Sequence, residues 1–165
     1  MQFRKATILD IPSIQAIAEE TWRPTYSHIL TEEQCIYMLD LMYNSATLRA
    51  QIEGNVSFFI VEEAGLALGY VAFEAISTDV VKLHKIYFRP NQKNKGVGRM
   101  AIEYVKKQTH DLGARFIELN VNKYNSAVDF YLKMGFTKQR EMVLDIGQGY
   151  VMDDYVMQFD LVPIQ

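Results

Sequence analysis

The chain has one cysteine, Cys35, so no disulfide can close within it, and the helical pattern around that residue marks a small buried apolar side chain. The histidines His28, His84 and His110 have no metal-ligand spacing with Cys35, and no Gly-x-Ser-x-Gly elbow is present to carry a serine nucleophile. No metal is therefore expected. No apolar run approaches the roughly 20 residues of a membrane span. The amino-terminal MQFRKATILD has no apolar core followed by a small-residue cleavage site, so a cytoplasmic location is expected and a membrane partner is not. Linkers, internal repeats and low-complexity stretches are also missing. With 165 residues, 49% of them hydrophobic and 12% aromatic, the chain can bury one substantial core and is too short for separate cofactor and substrate domains. The expectation is one domain over residues 1–165. A net charge of −3 argues against nucleic acid as a partner and mildly favours a cationic one.

What is present alternates between strand and helix patterns. A strand is predicted near 2–7, then a helix opened by Asp10 with Pro12 in its first turn, running to about Trp22. A second helical region covers about 31–53, where Thr31-Glu32-Glu33-Gln34 has the form of a capping box. Its interior CIYMLDLMY is apolar on more than one face, which implies burial on both sides, a partner surface, or simply a well-covered helix. VSFFIVE and LALGYVAFEAI, separated by Glu63-Ala64-Gly65, read as a hairpin. Strand 80–88, helix 95–110 and strand 115–121 form a βαβ unit, so the two strands should lie parallel. A helix over 126–134 and strands near 136–145 and 153–161 complete the pattern.

Two segments carry chemistry. In NQKNKGVGRMAIEYV a polar loop leads from strand to helix, and Met100, Ala101, Tyr104 and Val105 recur at helical spacing. Gly96 and Gly98 remove side chains where a ligand must approach the backbone, and the free N–H groups of the first helical turn point at the same place. An anion is the natural occupant, and Lys93, Lys95 and Arg99 add positive charge around it. No Lys-Ser or Lys-Thr follows the second glycine, so the nucleoside triphosphate loop pattern fails. Gly96-Val97-Gly98-Arg99-Met100-Ala101 formally satisfies a dinucleotide fingerprint, with Glu118 about 20 residues on. In that fingerprint, however, the first glycine ends the strand directly. Here Pro90 and a polar stretch separate Phe88 from Gly96.

The second segment, NKYNSAVDFYLKMGF, is a short helix with Ala127, Phe130, Tyr131 and Met134 on one face. Asn125 or Ser126 can cap its start, and Gly135 suits the left-handed residue at its end. Taken alone, Tyr131 reads as a core aromatic.

Together the two segments resemble the GNAT superfamily of N-acetyltransferases, which move an acetyl group from acetyl-CoA to an amine, and the likeness covers nearly the whole chain. The family's pyrophosphate loop, Gln/Arg-x-x-Gly-x-Gly/Ala, is met by Gly96, Val97 and Gly98 with Lys93 in the Gln/Arg place. Gln92 stands one position earlier, so either a residue is inserted or Lys93 serves as the cation. The second motif is met by Asn125, Ala127, Phe130, Tyr131, Gly135 and Phe136. The tail LDIGQGYVMDDYVMQFDL resembles the branch near spermidine/spermine N-acetyltransferases.

The resemblance implies an α/β fold with a mixed, mostly antiparallel sheet, helices on both faces, and parallel strands 80–88 and 115–121 that part to admit coenzyme A. It implies acetyl-CoA as co-substrate, held by the backbone of Ile86, Tyr87 and Phe88, by Gln92, Lys93, Asn94, Lys95, Gly96, Val97, Gly98 and Arg99, and by Asn120, Asn125, Ala127, Phe130 and Lys133. Tyr131 is implied as the acid that protonates the leaving thiolate; a phenol with a pKa of about 10 is protonated at neutral pH. His84 shares a strand face with Ile86 and Phe88 and titrates in a useful range, so it is the expected base. Its alternative is a hydrogen-bonded sheet residue; Tyr26, Tyr150, Asp153 and Asp154, acting through water, are rival bases. Trp22, Tyr26, Tyr150 and Asp153 are expected around the acceptor, although Trp22 is equally well read as a core anchor. The expected acceptor is a small-molecule amine such as a polyamine. A protein amino terminus is the alternative within the same chemistry, and a coenzyme A-binding sensor without turnover is the alternative from another class. The apolar second helix and the last strands suit a homodimer.

Overall fold

The computed structural model describes residues 1–162; Pro163, Ile164 and Gln165, the end of the expected 1–165 domain, lie outside the described residues. Seven strands form a mixed, mostly antiparallel sheet in the order β1-β2-β3-β4-β5-β7-β6. The strands are β1 (Gln2–Lys5), β2 (Ser57–Glu63), β3 (Leu66–Ala75), β4 (Val80–Phe88), β5 (Phe116–Asn122), β6 (Thr137–Gly147) and β7 (Tyr150–Asp160). The predicted βαβ unit is present: β4 and β5 run parallel, from Val80 opposite Phe116 to Leu83 opposite Leu119, and α4 (Val97–Asp111) connects them. No helix among the described residues is long and apolar enough to cross a membrane.

The chain divides into two compact units, one of Met1–Glu74 with His84–Ala101, the other of Ala75–Leu83 with the residues from Ile102 onward. In the first, α1 (Ile11–Tyr26) carries Pro12 in its first turn, where a missing N–H costs nothing. It runs past the expected end at Trp22 and through Pro24. Proline there removes one backbone donor, yet the turn persists: the Ser27 N–H donates to Arg23 O at 3.0 Å and the Thr25 hydroxyl to Thr21 O at 2.7 Å.

The single helix expected over 31–53 is two helices, α2 (Glu32–Tyr43) and α3 (Ser45–Glu53). Asn44 divides them. Its backbone is extended, its Nδ2 donates to Asp40 O at 2.8 Å, and its Oδ1 accepts the Thr47 N–H at 2.8 Å, closing one helix and opening the next. At the start of α2 the Thr31 hydroxyl accepts the Gln34 N–H at 3.1 Å. Burial of α2 on every side is not what the fold provides: Cys35, Met38, Leu39 and Tyr43 are buried, whereas Ile36 and Leu41 are exposed.

The β2–β3 hairpin turns on Ala64 and Gly65, both at positive φ, the backbone that lets two residues join strands with matching twist. Gln148 and Gly149 do the same between β6 and β7. In the second unit Val81, Leu83, Ile117, Leu119, Val121 and Met157 are buried on one face of β4, β5 and β7. Ile102, Val105 and Thr109 of α4, with Val128 and Tyr131 of α5 (Ala127–Lys133), are buried helical residues of the same unit.

Candidate active site

Between β4 and α4 the backbone makes a 3-10 turn at Pro90–Gln92, then passes through two left-handed residues, Asn94 (φ 65°) and Gly96 (φ 74°). This is why the dinucleotide reading fails: a whole turn separates the strand from the first glycine. The Met100 N–H reaches Gly96 O at 3.1 Å, which leaves the N–H groups of Val97, Gly98 and Arg99 with no carbonyl four residues back. A Cβ built on Gly96 would meet nothing within 4 Å. Glycine is needed there for its φ, and the space beside it is open. Lys93, Lys95 and Arg99 are exposed around this helix end, whereas Gln92 is turned inward and only 8% exposed. Positive side chains, free amides and the helix dipole therefore converge on the start of α4.

Upstream on β4, Tyr87 joins an aromatic cluster with two residues expected at the acceptor. The Trp22 ring lies 4.7 Å from Tyr26 and 6.1 Å from Tyr87, and the Tyr26 and Tyr87 hydroxyls are 3.2 Å apart. Tyr43 and Tyr70 complete it, with the Tyr70 hydroxyl donating to that of Tyr43 at 2.7 Å. Trp22 is thus a core anchor, 3% exposed, yet its buried Nε1 has no partner with hydrogen-bond geometry among the described residues. Burial drives the Tyr43, Tyr70 and Tyr87 hydroxyls well above the ordinary phenol range.

Sequence reasoning missed Lys85, whose ammonium sits among these rings 4.8 Å from the Tyr43 centroid. Burial pulls its pKa down to about 8. The signal was available, since Lys85 has the strand parity of Val81, Leu83 and Tyr87. His84, on the opposite parity, is exposed, and its Nε2 is 2.9 Å from Glu74 Oε2.

In the second unit Tyr131 is 7% exposed, its ring edge-on to Phe130 at 5.3 Å and to Phe136 at 5.5 Å. Asn125 rather than Ser126 caps this segment: Asn125 Oδ1 accepts the Ala127 N–H at 2.9 Å, and Ser126 makes no side-chain cap. Gly135 has the expected left-handed backbone, φ 97°. Lys133 and Asn120 are exposed, and Asn120 Oδ1 accepts from Lys82 Nζ. Lys82 also reaches Glu118 at 2.9 Å. Tyr150 stands at the start of β7 opposite Gly147, and Asp153 is paired with Lys123 at 2.8 Å. Beside it Asp154 is buried, with its pKa raised to about 6 by burial and by the Asp153 charge.

The mixed sheet with its parallel β4–β5 pair and the glycine loop that leads into α4 form the fold of an acyltransferase. The family described as the acetyltransferase (GNAT) domain matches residues 28–151, and the chain belongs to it; by family it is an N-acetyltransferase. Along its length the chain is 25% identical over 142 residues to the spermidine N(1)-acetyltransferase of Thermoplasma acidophilum, covering 82% of this chain and 88% of that one. Among solved structures it resembles the PaiA N-acetyltransferase of Thermoplasma acidophilum in complex with coenzyme A, with TM-score 0.83, 22% identity, and coverage of 96% and 98% of the two chains. It likewise resembles a GCN5-related N-acetyltransferase of Rhodopseudomonas palustris, with TM-score 0.83, 18% identity, and coverage of 96% and 94%. These two likenesses are likenesses of fold.

Proposed function

We propose that the chain moves the acetyl group of acetyl-CoA to a primary amine of a small molecule, a polyamine being the leading choice, by direct attack in a ternary complex. The observation that carries this reading is the open cradle at Gly96, where the N–H groups of Val97, Gly98 and Arg99 meet three exposed cations. A pyrophosphate fits its charge and its room. Because Gln92 is turned inward, Lys93 is the side chain available to the phosphates, with Asn94 and Lys95 beside it. The backbone of Ile86, Tyr87 and Phe88 takes the pantetheine amides. Asn125, with its oxygen committed to Ala127, offers its NH₂, and Asn120, Ala127, Phe130 and Lys133 border the same cofactor. Bound acetyl-CoA supplies an acetyl group activated as a thioester.

The remaining chemistry is proton transfer. Tyr131 gives its proton to the departing thiolate, and His84, oriented by Glu74, takes one from the attacking amine. Tyr26, Tyr150 and Asp153 are the residues offered to the acceptor, and Trp22, expected beside them, backs Tyr26 from the core at 4.7 Å. The relative named for spermidine supports a polyamine, and a cytoplasmic homodimer that uses exposed Ile36 and Leu41 of α2 belongs to the same reading. Mass spectrometry of an amine panel after incubation with acetyl-CoA is the test. Acetylated spermidine or spermine supports it; acetylation confined to peptide amino termini would transfer the reading to protein substrates.

A further inference from the structure

Asp154 is a carboxylate whose side chain has no hydrogen-bond donor among the described residues. On β7 it pairs across the ladder with Asn122, the last residue of β5, and with Met142 of β6. Directly opposed residues share a sheet face, so Asp154, Asn122 and Met142 project together. Asn120 and Glu118 of β5 and Lys82 of β4 have the same parity. Asp154 is only 4% exposed, and no hydrogen bond to its side chain is made among the described residues.

Two cations are close enough to act on it, Lys82 and Lys123, but both are engaged elsewhere. Lys82 is held by Glu118 and Asn120, and Lys123 by Asp153 at 2.8 Å and Glu141 at 3.0 Å. Asp153 is the neighbouring like charge and makes matters worse. A buried, ionised carboxylate without donors is costly, and a protein that merely needed to fill this position would do better with an asparagine or a leucine. The position is also the one that open α/β sheets reserve for ligands, the carboxyl end of a parallel strand.

We propose that Asp154 receives the cationic amine of the acceptor. This rests on the acetyltransfer reading and narrows it: an ammonium supplies the missing donors and charge, whereas an acceptor that presents a carboxylate here is repelled. Asp154 is thus an acceptor-binding residue, separate from the proton-transfer roles of Tyr131 and His84. Its protonation near pH 6, set by burial and Asp153 against the pull of Lys82 and Lys123, makes acceptor binding weaken as pH falls through that value.

The test is Asp154→Asn, with spermidine as the probe. The KM for spermidine rises roughly tenfold to a hundredfold, the range for a lost charge-assisted hydrogen bond, while calorimetric affinity for coenzyme A is unchanged. The wild-type KM climbs as pH drops below about 6, and this limb disappears in the variant. The variant's Tm rises, because a buried unpaired charge has gone; a carboxylate kept for structure would give a lower Tm. Asp153→Asn moves the same limb to lower pH. An unaltered KM and pH limb in Asp154→Asn would overturn the proposal. If the wild type releases no thiol with any amine, the acetyltransfer reading has failed; calorimetric binding of spermidine to the coenzyme A complex, lost in Asp154→Asn, then still upholds the cation site, and equal binding by both proteins sinks it.

Discussion

The Lys85 ammonium stands 4.8 Å from the centroid of the Tyr43 ring, and no carboxylate is paired with it among the described residues. Burial lowers its pKa to about 8, against 10.5 in the unfolded chain. Between those values the unfolded state holds more protons, so stability rises with pH from about 8 toward 10.5, and below 8 the full penalty applies. Lys85→Met is therefore expected to raise stability at pH 7 by about 1–2 kcal/mol and to flatten the dependence of Tm on alkaline pH. Thermal melts at pH 7 and pH 10 check both.

Tyr131→Phe retains the ring and its edge-on contacts with Phe130 and Phe136 and removes only the hydroxyl. If that hydroxyl protonates the thiolate, kcat falls by about 10²-fold or more, and affinity for acetyl-CoA stays near that of the parent. Steady-state rates at saturating acetyl-CoA decide it; parental turnover would strip Tyr131 of the acid role.

His84 meets Glu74 at 2.9 Å, so the pair acts as a unit. His84→Ala and Glu74→Gln should both lower kcat, the first more than the second, and both should alter the pH profile of kcat rather than the acceptor KM. A profile that neither substitution changes assigns the pair to the sheet alone.

Gly69 on β3 is fixed by space. A Cβ there would lie 2.4 Å from Tyr87 O and 2.5 Å from the Phe88 ring, the residues proposed to hold pantetheine. Because backbone is in the way, Gly69→Ala is expected to cost about 1–3 kcal/mol, as overpacking does, and to weaken coenzyme A binding along with it. Denaturant unfolding and calorimetry measure the two effects.

Strand periodicity and turn chemistry made much of the fold legible. Ala64-Gly65 announced the hairpin, and the apolar run at 80–88 gave β4 its observed bounds. Asn44 was harder to read, because an asparagine between two apolar helical stretches looks like a surface residue until its side chain is seen bonding in both directions. The glycine loop was visible as a motif, but the inward turn of Gln92 depends on a 3-10 turn that no periodicity marks. Lys85 was legible only as parity, and Asp154 only as a rival base. Their significance comes from burial without an ion pair among the described residues, which depends on tertiary packing and, for Asp154, on the competing ion pairs of Lys82 and Lys123.

Thiol release from acetyl-CoA, followed with and without spermidine, tests the central claim most directly. Release that depends on the amine, with one acetyl group gained by spermidine for each thiol freed, is the predicted result. Tight binding of acetyl-CoA without release in the presence of spermidine, amino acids, aminoglycosides or peptides would contradict it and leave a coenzyme A-binding sensor in its place.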